Sequence, residues 1–580
     1  MLSHMRCVVS GIVVFALAGA AAAQGTGAIV NGEVANRVDQ YLTRLVPYGF
    51  SGAVLVAKNG EVILKKGYGL ADRDGNVPYR PDMVSCIGSV TKQFTGAAIL
   101  KLEMQGKLKT SDPISTYLPG VPPDKAGITI QHLMTHTAGF SGDLGGMDEE
   151  PIARDALVAK VLAAPLASKP GEKFEYSNEG FSLAGAIVER VSGKGYEAYV
   201  RENLFLPAGM MDTGYLAPAW LLSRLPIGYR PDGKPWGRVY QNGWLPDGPG
   251  WYLRANGGIH SSLDDLYRWH LALASDKVLS PAALQKYQAG DVPSFGNERY
   301  GYGWGVQTTR RGTKLITHNG GNGFFFTDVL RFVDEKVVII AMTNQPVIPA
   351  TQVARRQLEA LVFGDQPVVV PPVGIAVARD AREALAGRYA LATGGLVTVR
   401  ATPDGLEADA DDPTLLGAIP GLTAPGGRFS AMETKTLALL DAAAKDDVRP
   451  IFEAFNDERP FDVVQGNQRR FWADWRSQFG EFKRLELLGT ASVQGDPAVT
   501  VRLQFERGGP TVQFIWGPRR LAGFRILPAA TGQPTVFVAE SPTSWVSYSY
   551  RAPALLRLTF DRNGGVQIEG PKGKSEGKKQ

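Results

Sequence analysis

Cysteine is nearly absent, with two in 580 residues. Cys7 falls in an N-terminal apolar segment and only Cys86 lies in the body of the chain, so a disulfide framework is excluded. An excess of one charge is also lacking. The formal net charge is +5, and Lys572, Lys574, Lys578 and Lys579 at the C-terminus supply most of it against Glu576. The remainder is close to neutral, which gives no basic face for nucleic acid. Beyond Gln24 no apolar run is long enough to span a bilayer. A metal-ligand set is missing as well. His132 and His136 have helical spacing, but Leu133 stands where a metallopeptidase base would be and no third ligand is evident. Neither metal nor cofactor is expected.

What is present is ordinary for a globular chain: 44% hydrophobic and 21% charged residues, and length enough for more than one domain. The start reads as an export signal. Arg6 precedes the apolar stretch Val8 to Ala18, and Ala21 and Ala23 fit a small-residue cleavage site. Residues 1–23 are therefore expected to be a signal peptide, and the mature protein periplasmic or secreted, without stable membrane insertion. Cys7 precedes the apolar run, which is the wrong place for a lipid-anchor cysteine, and Cys86 reads as a buried structural thiol.

Asn59-Gly60 between two β-rich runs signals a hairpin, because both turn positions need positive φ. Helices are expected after Ser89, around 128–134, 180–190 and 263–273, and over 351–363. Strands are expected at 314–318, 325–333 and 336–343. Residues 226–257, rich in Gly, Pro and Trp, read as a long surface loop. Strands first and last with helices between predict an α+β domain over 24–363, an antiparallel sheet flanked by helices and closed by both chain ends. Pro367, Pro371 and Pro372 mark a linker over 364–378. A β-rich accessory region is expected over 379–440, a small α+β region over 441–570 and a basic disordered tail over 571–580. The sequence leaves open whether the strands near 536–539 and 555–560 return to the unit begun at Tyr389.

The chemistry begins at Ser89. Phe94, Ala98 and Leu102 repeat every four residues and Gly106 follows, which predicts a helix with Ser89 at its start and Lys92 one turn on. A serine hydroxyl needs a base to become a nucleophile, and an amine serves only if its pKa is lowered. The helix start adds free N–H groups for an oxyanion. S-x-x-K is a loose pattern and recurs at Ser575–Lys578, in the charged tail. Tyr176-Ser177-Asn178 offers a phenol, as tyrosinate a plausible base, and an amide that can both donate and accept. Y-x-N recurs at Tyr240–Asn242, inside the long loop, where positioning would be poorer. His318-Asn319-Gly320-Gly321 ends a predicted strand, where glycines let a substrate approach the edge and Gly321 N–H can serve as an oxyanion donor. Trp244, Trp251, Tyr252, Tyr302, Trp304 and Phe324 are candidates to line an apolar pocket.

Taken in order, Ile87 to Gly106, Ile128 to Gly139, Pro170 to Asn178, Ala255 to Ser262 and His318 to Gly321 resemble the serine β-lactamase and penicillin-binding-protein superfamily. The likeness covers about residues 30–363 and extends to class C β-lactamases, D-alanyl-D-alanine carboxypeptidases, D-aminopeptidases and related esterases. It implies Ser89 as the acylated nucleophile, Lys92 and Tyr176 sharing acid/base work, and Asn178 holding the substrate amide. Backbone N–H groups of Ser89 and Gly321 would form the oxyanion hole, and the second histidine of the His132–His136 pair would be structural. His318 stands where β-lactamases usually carry lysine, which weakens carboxylate recognition of β-lactams, because an ordinary histidine is mostly neutral near pH 7. The resemblance thus implies an exported serine hydrolase acting on an ester or amide. The alternatives are a carboxypeptidase or D-aminopeptidase on cell-wall-type peptides, or a catalytically weak binding protein on the same fold. The expected partners are a small molecule or peptide, with cell-wall contact possible.

Overall fold

Every position of the strand Gly52–Lys58 except its last is buried. Ala53, Leu55 and Ala57 face one core, while Val54 and Val56 face the other. Period-two alternation between two covered faces explains why this strand reads as one continuous apolar run. It lies within a nine-stranded sheet of a computed structural model that describes residues 27–140, 148–230, 233–392, 396–403, 405–410, 425–455, 461–493, 496–506, 509–517, 520–527, 535–549, 554–570 and 573–580. The signal-peptide reading lies outside the described residues.

In spatial order the strands are Ile29–Val30, Glu61–Tyr68, Gly52–Lys58, Val337–Thr343, Phe326–Phe332, Lys314–Gly321, Trp304–Thr308, Arg299–Gly301 and Val292–Pro293, all antiparallel. Both chain ends of the domain contribute, as expected. The hairpin turns at Asn59 (φ 53°) and Gly60 (φ 83°), the left-handed pair that such a turn requires. One face is covered by the helix Gly32–Leu45 and by a closing helix in three parts, Ala350–Val353, Ala354–Leu358 and Glu359–Phe363, the middle one π-wound. The other face carries the helical region, with Thr91–Met104, Asn178–Ser192 and Leu263–Ala272. The register leaves an opening. Trp304–Thr308 pairs with Lys314–Thr317 and ends at Gly305 opposite Thr317. Among the described residues no ladder pair continues on that side to His318–Gly321.

The C-terminal part corrects two expectations. Gly387–Leu391, Leu396–Ala401 and Leu406–Ala410 close into one eight-stranded barrel with Thr535–Ala539, Ser544–Ser549, Ala554–Phe560, Gly565–Gly570 and Gly573–Lys579. The β-rich and α+β regions therefore do not follow one another. The helices Ser430–Ala444, Arg449–Phe455 and Phe461–Phe479, with the four-stranded sheet from Phe482 to Leu527, are inserted between two barrel strands. The basic tail expected to be disordered is the closing strand, Gly573–Lys579, paired with both Gly565–Gly570 and Gly387–Leu391. Backbone pairing needs no apolar side chain, so charge composition hid it. The barrel docks on the face bearing Gly32–Leu45, where Val538, Val546 and Tyr548 join the domain core and Tyr548 hydrogen-bonds Tyr41 at 3.1 Å. Among the described residues no helix is long and apolar enough to cross a membrane.

Candidate active site

Ser89 occupies a 3-10 turn, Gly88–Val90, that runs directly into the helix Thr91–Met104. The helix is buried on every side, polar residues included, rather than along the single stripe its spacing suggests. It ends as expected: Gly106 takes φ 68°, and Lys107 N–H returns to the Leu102 carbonyl at 3.0 Å. Gly88 itself has φ 51°. A Cβ on Gly320 would fall 2.6 Å from Ser89 N, and one on Gly88 would fall 2.9 Å from Gly320 C. Glycine is required at both places so that the nucleophile turn and the strand edge can touch. That contact brings the turn carrying Ser89 N against the strand edge at Gly320 and Gly321.

Lys92 is fully buried, and three groups surround its amine. Nζ lies 2.7 Å from Asn178 Oδ1, 2.9 Å from the Asn256 carbonyl and 3.0 Å from Ser89 Oγ. A neutral amine has two N–H bonds and one lone pair. The carbonyl oxygens can only accept, so they take the two N–H bonds and the lone pair faces the Ser89 hydroxyl. Burial pushes the Lys92 pKa down to about 7, with Asp148 and Glu179 opposing the shift. The amine is thus available as a base near neutrality.

Tyr176 hydrogen-bonds Ser89, and enclosure of its hydroxyl drives its pKa upward. The phenol is therefore protonated at neutral pH, which corrects the tyrosinate reading: it can pass a proton but does not begin as the base. Tyr176 is held in place by His136, whose Nδ1 accepts from Ser177 N–H at 3.0 Å and whose ring lies 4.3 Å from the tyrosine ring. Ser177 caps the next helix through Gly180 N–H, which fixes Asn178 in its first turn. His132 Nδ1 accepts from Thr129 N–H in a capping box. Both histidines thus spend a ring nitrogen on local structure.

His318 is buried, with Nδ1 2.6 Å from the Asn319 carbonyl and Nε2 2.9 Å from Tyr300 Oη. The carbonyl can only accept, so Nδ1 carries the proton and Nε2 accepts from the phenol. Burial pushes its pKa down to about 3, with the Lys92 charge adding to the effect. His318 is thus a neutral wall of the site and not a cation. The cation in the cleft is Arg355, from the closing helix, which donates to Asp328 Oδ2 at 2.9 Å and to Thr317 Oγ1 at 3.1 Å. The cleft encloses about 800 Å³ and also presents Ser89, Tyr176, Gly320 and Gly321.

Three contributors escaped the sequence reading. The Asn256 carbonyl is a backbone group, aimed by Ala255 at φ 69° and by the Asn256 side chain bonded to Ser182 and the Tyr252 carbonyl. Arg355 and Glu298 reach the cleft only through tertiary folding. The six aromatic candidates do not line it. Trp251, Tyr252, Tyr302 and Trp304 are buried in the core, while Trp244 and Phe324 pack beside it; Phe295 and Tyr300 face the cleft instead. The expected loop over 226–257 holds two short strands, Gly228–Tyr229 and Pro235–Gly237; its described residues from 233 to 247 are mostly exposed or half-exposed, while 248–257 are buried. Its Tyr240–Asn242 pair stays local, with Asn242 bonded to the Arg238 carbonyl. Ser575 and Lys578 lie on a strand, where three-residue spacing points side chains to opposite faces. Cys86 is buried, with its thiol pKa pushed up to about 12.

A serine beside a buried lysine of lowered pKa, on this fold, is the kind of site a serine hydrolase carries. A family model described as Beta-lactamase matches residues 36–363, more than half of the chain, and the chain belongs to that family. It is 33% identical over 261 residues to the putative penicillin-binding protein PbpX of Bacillus subtilis (strain 168), a match covering 45% of this chain and 63% of that protein. It is 30% identical over 291 residues to the esterase EstB of Burkholderia gladioli, covering 44% of this chain and 73% of EstB. Among solved structures, the octameric penicillin-binding protein homologue from Pyrococcus abyssi aligns with a TM-score of 0.51 at 19% identity, over 93% of this chain and 98% of that chain, a likeness of fold alone.

Proposed function

We propose that this chain is an exported serine hydrolase that cleaves an ester or amide through an acyl-enzyme on Ser89. The observation that carries the reading is the buried amine of Lys92, 3.0 Å from Ser89 Oγ and within hydrogen-bond distance of two carbonyl oxygens, an arrangement that leaves the lone pair of the neutral amine facing the hydroxyl. Lys92 takes the hydroxyl proton as Oγ bonds to the substrate carbonyl carbon, and the oxyanion rests on the N–H groups of Ser89 and Gly321. Collapse breaks the bond to the leaving group, which departs with a proton passed back through Tyr176. Water then attacks the acyl carbon, and the same proton path returns Ser89. Asn178, its Oδ1 turned to Lys92, presents Nδ2 to a substrate carbonyl.

The neutral, doubly engaged His318 supports esters or amides without a carboxylate over β-lactams. Arg355 in the same cleft keeps carboxylate-bearing cell-wall peptides as a second reading. A fluorophosphonate probe is expected to label Ser89 and to be blocked in Ser89→Ala, which should lose p-nitrophenyl acetate hydrolysis by at least ~10³-fold. Unchanged hydrolysis in that variant would end this reading and leave a binding role on the fold.

A further inference from the structure

The tip of the hairpin between Val292–Pro293 and Arg299–Gly301 brings an acid into the cleft that this mechanism does not use. Glu298 lies over the sheet at Gly305: a Cβ there would fall 2.5 Å from the Glu298 carboxyl carbon, so the strand leaves room for the carboxylate by lacking a side chain. The carboxylate accepts from Ser294 Oγ at 3.2 Å, and among the described residues no lysine, arginine or histidine nitrogen forms an ion pair with it. The other acid on this wall, Asp328, is already matched by Arg355. Glu298 is thus a half-buried carboxylate in a cleft that holds the nucleophile; Arg355, bonded directly to Asp328, acts on it through its charge without a direct contact, so two acids share one cation on this wall.

Its position along the strand sets a distance. Gly305 pairs with Thr317, and Gly320, which touches the Ser89 turn, lies three residues further on. At about 3.3 Å per residue the donor Gly321 lies roughly 13 Å further along that strand, and one strand spacing of about 4.8 Å separates it sideways from Gly305, so the carboxylate stands roughly 10–15 Å from the oxyanion site. Phe295, 66% exposed, stands at the rim, and Tyr300 lies deeper in the cleft. An acid in this cleft, with the exposed Phe295 ring at its rim, suits an organic ammonium group, which pairs with the carboxylate through its charge.

Resting on the hydrolase reading above, we propose that Glu298 is a specificity residue that selects substrates carrying a primary or quaternary ammonium group roughly 10–15 Å from the scissile carbonyl. Two matched pairs of esters test this, one with the ammonium on the acyl side and one with it on the alcohol side, each beside its uncharged isostere. The wild-type protein should prefer the ammonium member of one pair by about tenfold in kcat/KM at low salt, and the preference should shrink with added sodium chloride. Glu298→Gln should bring that ratio to near one, Glu298→Asp should keep part of it, and Glu298→Lys should invert it toward a carboxylate-bearing analogue. Melting curves of each variant separate loss of selection from loss of fold. A ratio near one in the wild type, or one that Glu298→Gln leaves unchanged, overturns the proposal while neutral-ester turnover leaves the hydrolase reading standing. Turnover of the neutral esters that survives Ser89→Ala overturns the hydrolase reading itself.

Discussion

At the scale of single residues the site turns on one proton. Lys92 is uncharged only above about pH 7, because burial depresses its pKa from the ordinary lysine value. The active form is the neutral amine, so acylation should rise with pH and then level off. We expect kcat/KM for a neutral ester to climb about tenfold per unit below pH 7 and flatten above pH 8, read from a pH–rate profile. A flat profile from pH 5 to 8 would remove Lys92 from the role of base. His318, already neutral across this range, should add no second limb there.

At the scale of elements, the turn at Gly88–Val90 and the strand Lys314–Gly321 are joined by contact between glycines. Gly320→Ala would drive a methyl group against the Ile87 carbonyl and Ser89 N, forcing the two oxyanion donors apart. Loss of one such donor costs about 10²–10³ in kcat, and we expect a fall of that size with substrate KM far less affected. Full activity in that variant would show that the donors sit elsewhere. This pairing also explains what sequence can and cannot say about the site. Ser89 and Lys92 share one helix, and Tyr176 and Asn178 flank one cap, so local spacing exposes them. Asn256 acts through a carbonyl that every residue has, and Glu298 and Arg355 approach from elements whose placement depends on sheet order. The duplicate motifs are separated by the same logic: helical spacing unites Ser89 with Lys92, and strand geometry parts Ser575 from Lys578.

At the scale of the whole molecule the barrel is fastened to the sheet's covered face through Tyr41, Tyr548, Val538 and Val546, and its closure depends on the last strand. Gly577 faces inward there, where a Cβ would fall 2.6 Å from Leu391 Cδ2. Removing residues 573–580 should open two strand ladders, lower the barrel's thermal midpoint by at least ~5 °C and expose dye-binding apolar surface. An unchanged melting curve would mean that the charged strand contributes nothing to closure.

By itself the sequence determined the α+β class, the hairpin at Asn59-Gly60, the helix that carries Ser89 and Lys92, and the family likeness. All of these rest on short-range periodicity, turn chemistry and motif spacing, which are properties of neighbours along the chain. Tertiary structure alone decided the lowered pKa of Lys92, the raised pKa of Tyr176, the engagement of His318, the arrival of Glu298 and Arg355, and the return of the C-terminal strands to close one barrel. Each of these depends on burial or on pairing between distant segments, and neither quantity exists until the chain has folded.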